Sequence, residues 1–312
     1  MRRRAASRRA RAVHRREFFT WCAGAALTVA TGSGRTAVAA TPKPKVVVGS
    51  KNFTEQLICG ELAAALLENA GYPVERKLRL GGTAICHEAL ISGNIDTYVE
   101  YTGTGLTAIL KLAPEPDPAR VYDTVKREYE KRFHATWLAP WGFNDTYALV
   151  MRRDRANQLG VRTISDLRGK ASGLTLGATQ EFLVRPDGLP GLEKTYGIPF
   201  KATRGMDFGL MYQAVAAGDV DVISAFSTDG RIVSLGLVVL QDDRHYFPPY
   251  YAAPVIRLAT LRKDPHIADA LNQLAGKISD KTMASLNLLV DQSREDPADV
   301  ARAFLRHLGV VR

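Results

Sequence analysis

Short apolar runs along the chain alternate with stretches whose apolar residues recur every three to four positions, the pattern of an α/β fold with mostly parallel strands. Lys45 to Gly49 reads as the first strand. Asn52 stands where it can cap a helix with Glu55 three residues on, and that helix runs to about Asn69, burying Leu57, Ile58, Leu62, Ala65 and Leu66 before Gly71 stops it. A strand near Val74 to Leu80, a helix from about Thr83 to Ser92 and a strand from Ile95 to Glu100 complete a βαβαβ unit. Asp117-Pro118 opens a long helix with Val121, Val125, Tyr129 and Phe133 on one face, and Tyr147 to Met151 is the strand that follows. A second unit of the same kind begins at Leu174 to Ala178 and continues to about Leu240. Helices return from about His266, with Asp296-Pro297 opening the last.

The second unit partly echoes the first. Ala89, Gly93, Asp96 and Tyr101 recur, offset by 125, as Ala214, Gly218, Asp221 and Phe226. Each set reads as helix, glycine stop, strand, then an aromatic at the strand's carboxyl end. Ligands of open α/β sheets bind beyond the carboxyl ends of strands, so two such units facing each other aim Tyr101 and Phe226 into a shared cleft. The expected organisation is two lobes with two hinge crossings, near Asp145 and Tyr250. Residues 40–146 and 250–312 form lobe one, and residues 147–249 form lobe two.

The formal charge of +10 points at first to a nucleic-acid or membrane partner. Its location removes that reading. Residues 1–39 hold nine arginines and one acid, leaving 33 basic and 31 acidic residues elsewhere, with no basic run interleaved with aromatics. The same front segment has a basic region, an apolar run from Trp21 to Thr31, and Ala37-Val38-Ala39 before Ala40, the three parts of a cleaved export signal. Arg15-Arg16-Glu17-Phe18-Phe19 resembles a bacterial twin-arginine signal. Cys22 opens the apolar run instead of ending it, which disfavours a lipid anchor there. Export leaves Cys59 and Cys86 in an oxidising compartment, where a disulfide and two buried free thiols are both open.

Ordinary catalytic signatures are absent: no GxSxG elbow, HExxH, paired CxxC or phosphate loop. Cys86-His87-Glu88 cannot form a nucleophile and base, because neighbours on a helix point about 100° apart; one buried and two exposed side chains are expected. What remains is a set of aromatics beside a few fixed charges at expected strand ends and loops. These are Gly49 to Glu55, Gly81-Gly82-Thr83, Glu100 to Thr104, Phe143 to Tyr147, Phe182 to Gly188, Phe226 to Arg231 and Phe247 to Tyr251.

Taken together, and in order along essentially the whole chain after Lys45, these segments closely resemble the osmoprotectant-binding proteins of ABC transporters, the family that binds glycine betaine, carnitine, choline and related compounds. The resemblance implies a two-lobed periplasmic-binding fold of type II. It implies an aromatic box for a quaternary ammonium group formed by Tyr101, Tyr147, Phe226 and Tyr250, with Asp145 at its floor, and a carboxylate clamp of Lys51, Thr104 and Arg185. The box position of Phe226 is commonly tyrosine in the family, so one hydroxyl is missing. An exported, monomeric binding protein follows, without cofactor, that hands a small solute, glycine betaine first, to a membrane permease. With choline as ligand, Lys51 and Arg185 would face no anion, a costly burial. Carnitine or another compatible solute, and an exported enzyme that has borrowed the fold, are the alternatives.

Overall fold

A computed structural model describes residues 42–311. Arg15-Arg16, Cys22 and the Ala37-Val38-Ala39 site lie outside the described residues. Among the described residues ten strands occur in the order β1 (Val46–Gly49), β2 (Val74–Lys77), β3 (Thr97–Tyr101), β4 (Ala135–Trp137), β5 (Tyr147–Arg152), β6 (Thr175–Ala178), β7 (Ala202–Gly205), β8 (Val222–Phe226), β9 (Leu237–Val239) and β10 (Ala252–Arg257). They build two five-stranded sheets of matching topology, β2-β1-β3-β10-β4 and β7-β6-β8-β5-β9. The sheets are mixed, where mostly parallel ones were expected. β10 runs antiparallel to β3 and β4, and β5 antiparallel to β8 and β9, because each enters its sheet directly from a crossing between sheets.

Alternation along β1 sorts the layers. Val46 and Val48 face helix α1 (Thr54–Asn69), while Val47 faces helix α2 (Thr83–Ile91) and the helix Pro118–Phe133. α1 is buried from Glu55 to Leu67. It lies against the sheet on one side and the helices Asp280–Asp291 and Pro297–His307 on the other. Its amino end departs from expectation, since Phe53 occupies the cap position with no side-chain bond and Asn52 does not cap. Asp117 and Asp296 do cap their helices, accepting from the backbone N–H groups of Arg120 and Ala298. Cys59 and Cys86 fall in separate core layers, and both are buried free thiols. His87 is buried beside Cys86, where exposure was expected; its ring packs edge-on against Phe133 at 4.5 Å and Tyr129 at 5.6 Å.

The internal echo is repeated bond for bond. Asp96 N–H donates to the Val47 carbonyl while its carboxylate accepts from Val47 N–H; Asp221 makes the same pair of bonds to Thr175. Gly93 and Gly218 share a φ of 83°, and a Cβ at either would strike an arginine, Arg257 or Arg152. Each sheet thus builds the same turn and ends the strand after it in an aromatic, Tyr101 or Phe226.

The chain passes between the sheets at residues 138–146 and 240–251, and these crossings run side by side. Asp145 N–H donates to the Tyr250 carbonyl, Ala252 N–H to that of Phe143, and Tyr250 N–H to Asn144 Oδ1. Strand register sets Tyr101 opposite Ala252 and Tyr147 opposite Phe226, so ends of both sheets meet at the crossings.

Candidate functional site

Where the sheets meet, a cavity of about 1370 Å³ opens. Lys51, Tyr101, Thr104, Asp145, Tyr147, Arg185, Phe226 and Tyr250 all line it. The aromatics form one connected set: Tyr147 stands 5.1 Å from Phe226 and, edge-on, 5.7 Å from Tyr250. Tyr101 joins it through Phe53, which stacks on Tyr101 at 6.4 Å and on Phe226 at 5.3 Å. Such rings offer negative faces to a cation, and a tetra-alkyl ammonium, having no N–H to donate, is held by ring faces or by negative charge.

Two of the cations lining the cavity stand over rings of the same set, Lys51 Nζ 5.1 Å from the Tyr101 centroid and the Arg185 guanidinium 5.4 Å from that of Tyr147. Both are buried and already paired. Lys51 Nζ donates to Glu100 at 2.6 Å, and Glu100 also accepts from Tyr98 OH and Tyr101 N–H. Arg185 spends its fork on Asp187, at 2.8 and 2.5 Å, and donates to Glu181 at 2.9 Å. Its Nη2 also lies 3.4 Å from the hydroxyls of Thr104 and Thr107, which follow β3. The expectation that these cations would be uncompensated without a ligand carboxylate is therefore corrected: internal acids compensate them. Burial alone pushes the Asp187 carboxyl up, but Arg185, Thr107 and Tyr250 together hold it below its ordinary value.

Behind the rings, Tyr101 OH donates to Glu55 at 2.7 Å and Tyr250 OH to Asp187 at 2.7 Å, so buried acids fix the orientation of two box residues. Asp145 is buried at the first crossing, beside the Thr228 hydroxyl at 2.7 Å. Phe226, lacking a hydroxyl, is oriented by packing alone, with Phe208 4.8 Å away. Sequence reasoning did not single out Phe53, Glu55, Glu100 and Asp187. All four sit inside the aromatic segments, yet nothing in a segment says which acid is an internal counter-ion. Among the described residues no cluster of His, Cys, Asp or Glu could hold a metal. Lys51 and Arg185, with the acids that hold them, are tied up in buried ion pairs beside the rings, an arrangement suited to holding a charged solute.

A family model described as the substrate-binding domain of ABC-type glycine betaine transport systems matches residues 44–307. The chain belongs to this family. It is the substrate-binding component of an ABC osmoprotectant transporter, a family whose members act outside the cytoplasm with a membrane permease. It is 37% identical over 268 residues to the ergothioneine transport permease/ergothioneine binding protein of Helicobacter pylori (strain G27), covering 85% of this chain and 48% of that one, so it spans about half the length of that relative. It is 36% identical over 267 residues to the carnitine transport binding protein of Listeria monocytogenes, covering 85% and 87% of the two chains. A crystal structure of a glycine betaine/carnitine/choline ABC transporter protein superposes with a TM-score of 0.71 at 34% identity, over 85% of this chain and 99% of that one. These matches carry the two-lobed periplasmic-binding fold. No helix among the described residues is long and apolar enough to cross a membrane.

Proposed function

We propose that the chain captures a quaternary ammonium osmolyte that also bears a carboxylate, glycine betaine first, and delivers it to its permease. Tyr101, Tyr147, Phe226 and Tyr250 receive the ammonium group, with Asp145 at the floor, and Lys51, Thr104 and Arg185 receive the carboxylate. The observation that carries this reading is the placement of each cation over a box ring, about 5 Å away. A ligand whose carboxylate lies one methylene from its ammonium group can touch ring and cation together, its negative end screening the repulsion between the two positive charges. Calorimetric titration tests it. In Arg185→Ala, glycine betaine should lose about 1.5–3 kcal/mol, roughly tenfold to a hundredfold in affinity, while choline loses far less, because the freed Asp187 favours a net cation. In Tyr147→Ala both should weaken alike, through the ring face they share. Equal losses of the two ligands in Arg185→Ala would refute the carboxylate assignment.

The cavity favours a second reading, since 1370 Å³ exceeds the roughly 300–1,000 Å³ of an ordinary small-molecule pocket and runs on past the box along Gln180, Phe208 and Gln213. A longer zwitterion such as carnitine uses that space, and it belongs in the same titration. Export by the twin-arginine route and a monomeric state complete the proposal, supported by Arg15-Arg16 and the family's mode of action.

A further inference from the structure

Glu55 does not line the ligand cavity. It stands behind Asp145, with Thr228 between them and Asn287 beside it around a water-sized void. A hydroxyl has a single hydrogen, yet the Thr228 hydroxyl lies 2.7 Å from Asp145 Oδ1 and in close contact with Glu55 Oε2. With both carboxyls ionised, one oxygen would be pressed against a lone pair. Glu55 is supplied with donors from elsewhere, Tyr101 OH at 2.7 Å and Asn287 Nδ2 at 2.9 Å. Asp145 is not: its Oδ1 receives only a long bond from Thr228 N–H at 3.3 Å, and its Oδ2 is buried with no partner among the described residues. The arrangement is satisfied if the hydrogen sits on Asp145 and the bonds run from Asp145 to Thr228 to Glu55, leaving the negative charge on Glu55.

We propose that Glu55 is a positioning residue that shares one proton with Asp145 through Thr228, and that capture of a quaternary ammonium ion against Asp145 expels this proton to solvent. The inference rests on the reading of the aromatic set as a cation site. In the balance, the ligand cation enters the box, the Asp145 O–H bond breaks, the electron pair stays on the carboxylate and the proton passes to buffer. The surroundings leave no other group to neutralise the pair. Arg231, which lines the same void, is held by Asp229 at 2.6 Å and Asp291 at 3.3 Å. Tyr101, Tyr147 and Tyr212 are buried phenols whose pKa values burial pushes up, as it does for the Cys59 thiol one turn along α1. Burial first, and then the Glu55 charge, likewise raise the Asp145 carboxyl well above its ordinary value, while burial raises Glu55 against the bonds it accepts.

Two measurements test the proposal. The infrared spectrum of the ligand-free protein at pH 7 should contain the carbonyl stretch of a protonated carboxyl that Asp145→Asn removes; a wild-type spectrum without that band overturns the shared proton, whatever the ligand. Titration with glycine betaine in two buffers of different ionisation enthalpy should give enthalpies that differ in proportion to a released proton, with affinity rising with pH by up to about tenfold per unit. Glu55→Gln should flatten that dependence. Should this variant fail to fold, the wild-type titrations decide alone: buffer-independent enthalpies and a pH-independent Kd overturn the expulsion. Failure of glycine betaine, carnitine and choline all to bind would remove the cation site and the expulsion with it, while the carbonyl band would still decide the shared proton.

Discussion

Asp187 offers the sharpest test of how the site is held together. Its carboxylate is fully buried and accepts four bonds, two from Arg185 at 2.8 and 2.5 Å, one from Thr107 at 2.6 Å and one from Tyr250 at 2.7 Å. Asp187→Ala leaves the Arg185 side chain, 6% exposed, with Glu181 at the cavity rim as its remaining anion. An exposed pair would be worth about 0–1 kcal/mol, but one-sided removal of a buried partner costs about 3–5 kcal/mol. That is a large part of a domain's total stability of about 5–15 kcal/mol. Urea denaturation should therefore show a loss of about 3–5 kcal/mol in Asp187→Ala and a smaller loss in the double variant Arg185→Met/Asp187→Ala, which buries no orphaned charge. The acid limb follows from the depressed Asp187 pKa. The stability it provides is fully present above the unfolded carboxyl's value of about 3.9 and is lost as pH falls through the folded value, so the variant should lose that slope. A loss under about 1 kcal/mol, or single losses that simply add in the double variant, would refute the reasoning.

A Cβ at Gly103 would lie 2.7 Å from the Tyr250 ring and 2.8 Å from the Pro249 carbonyl, so Gly103→Ala should cost about 1–3 kcal/mol by chemical denaturation and weaken every ligand that uses the box. A saturating ligand should draw the two lobes together, and small-angle scattering profiles identical with and without it would rule out closure. Arg15→Lys/Arg16→Lys should stop export; processed protein at normal levels beyond the membrane would exclude the twin-arginine route.

The parts of this molecule that follow a local rule were readable from its sequence. Val121, Val125 and Tyr129 repeat with a helical period and are buried, and the glycine-to-aromatic echo reproduces the same turn in each sheet. β10 gave no such signal, because Pro254 sits in its middle and proline argues against an interior strand; here its carbonyl still accepts from Leu138 N–H while it faces Val99 across the sheet. β4 and β9, three residues each, are too short to carry a period. At the site, the aromatics were legible as clusters at strand ends. Their buried counter-charges were not, for Glu100 becomes an interior ion only because folding brings Lys51 to it from 49 residues away. Asn52 shows the opposite failure, a sound local capping signal set aside because Glu55 is bonded to Tyr101 instead.

The position of β10 also fixes an order of events during folding. β5 to β9 come from one uninterrupted stretch, residues 147–239, so the second sheet can close as soon as that stretch exists. The first sheet has a gap between β3 and β4 until residues 252–257 arrive to fill it, a pairing of long sequence separation and hence a slow one. Tyr250 arrives with the same segment. Pulse-labelled hydrogen exchange during refolding should accordingly find amides of the second sheet protected before those of β3, and simultaneous protection would contradict this order. The cavity is then finished late, and a chain halted short of Tyr250 carries Tyr101, Tyr147 and Phe226 without the segment that sets the fourth ring beside them.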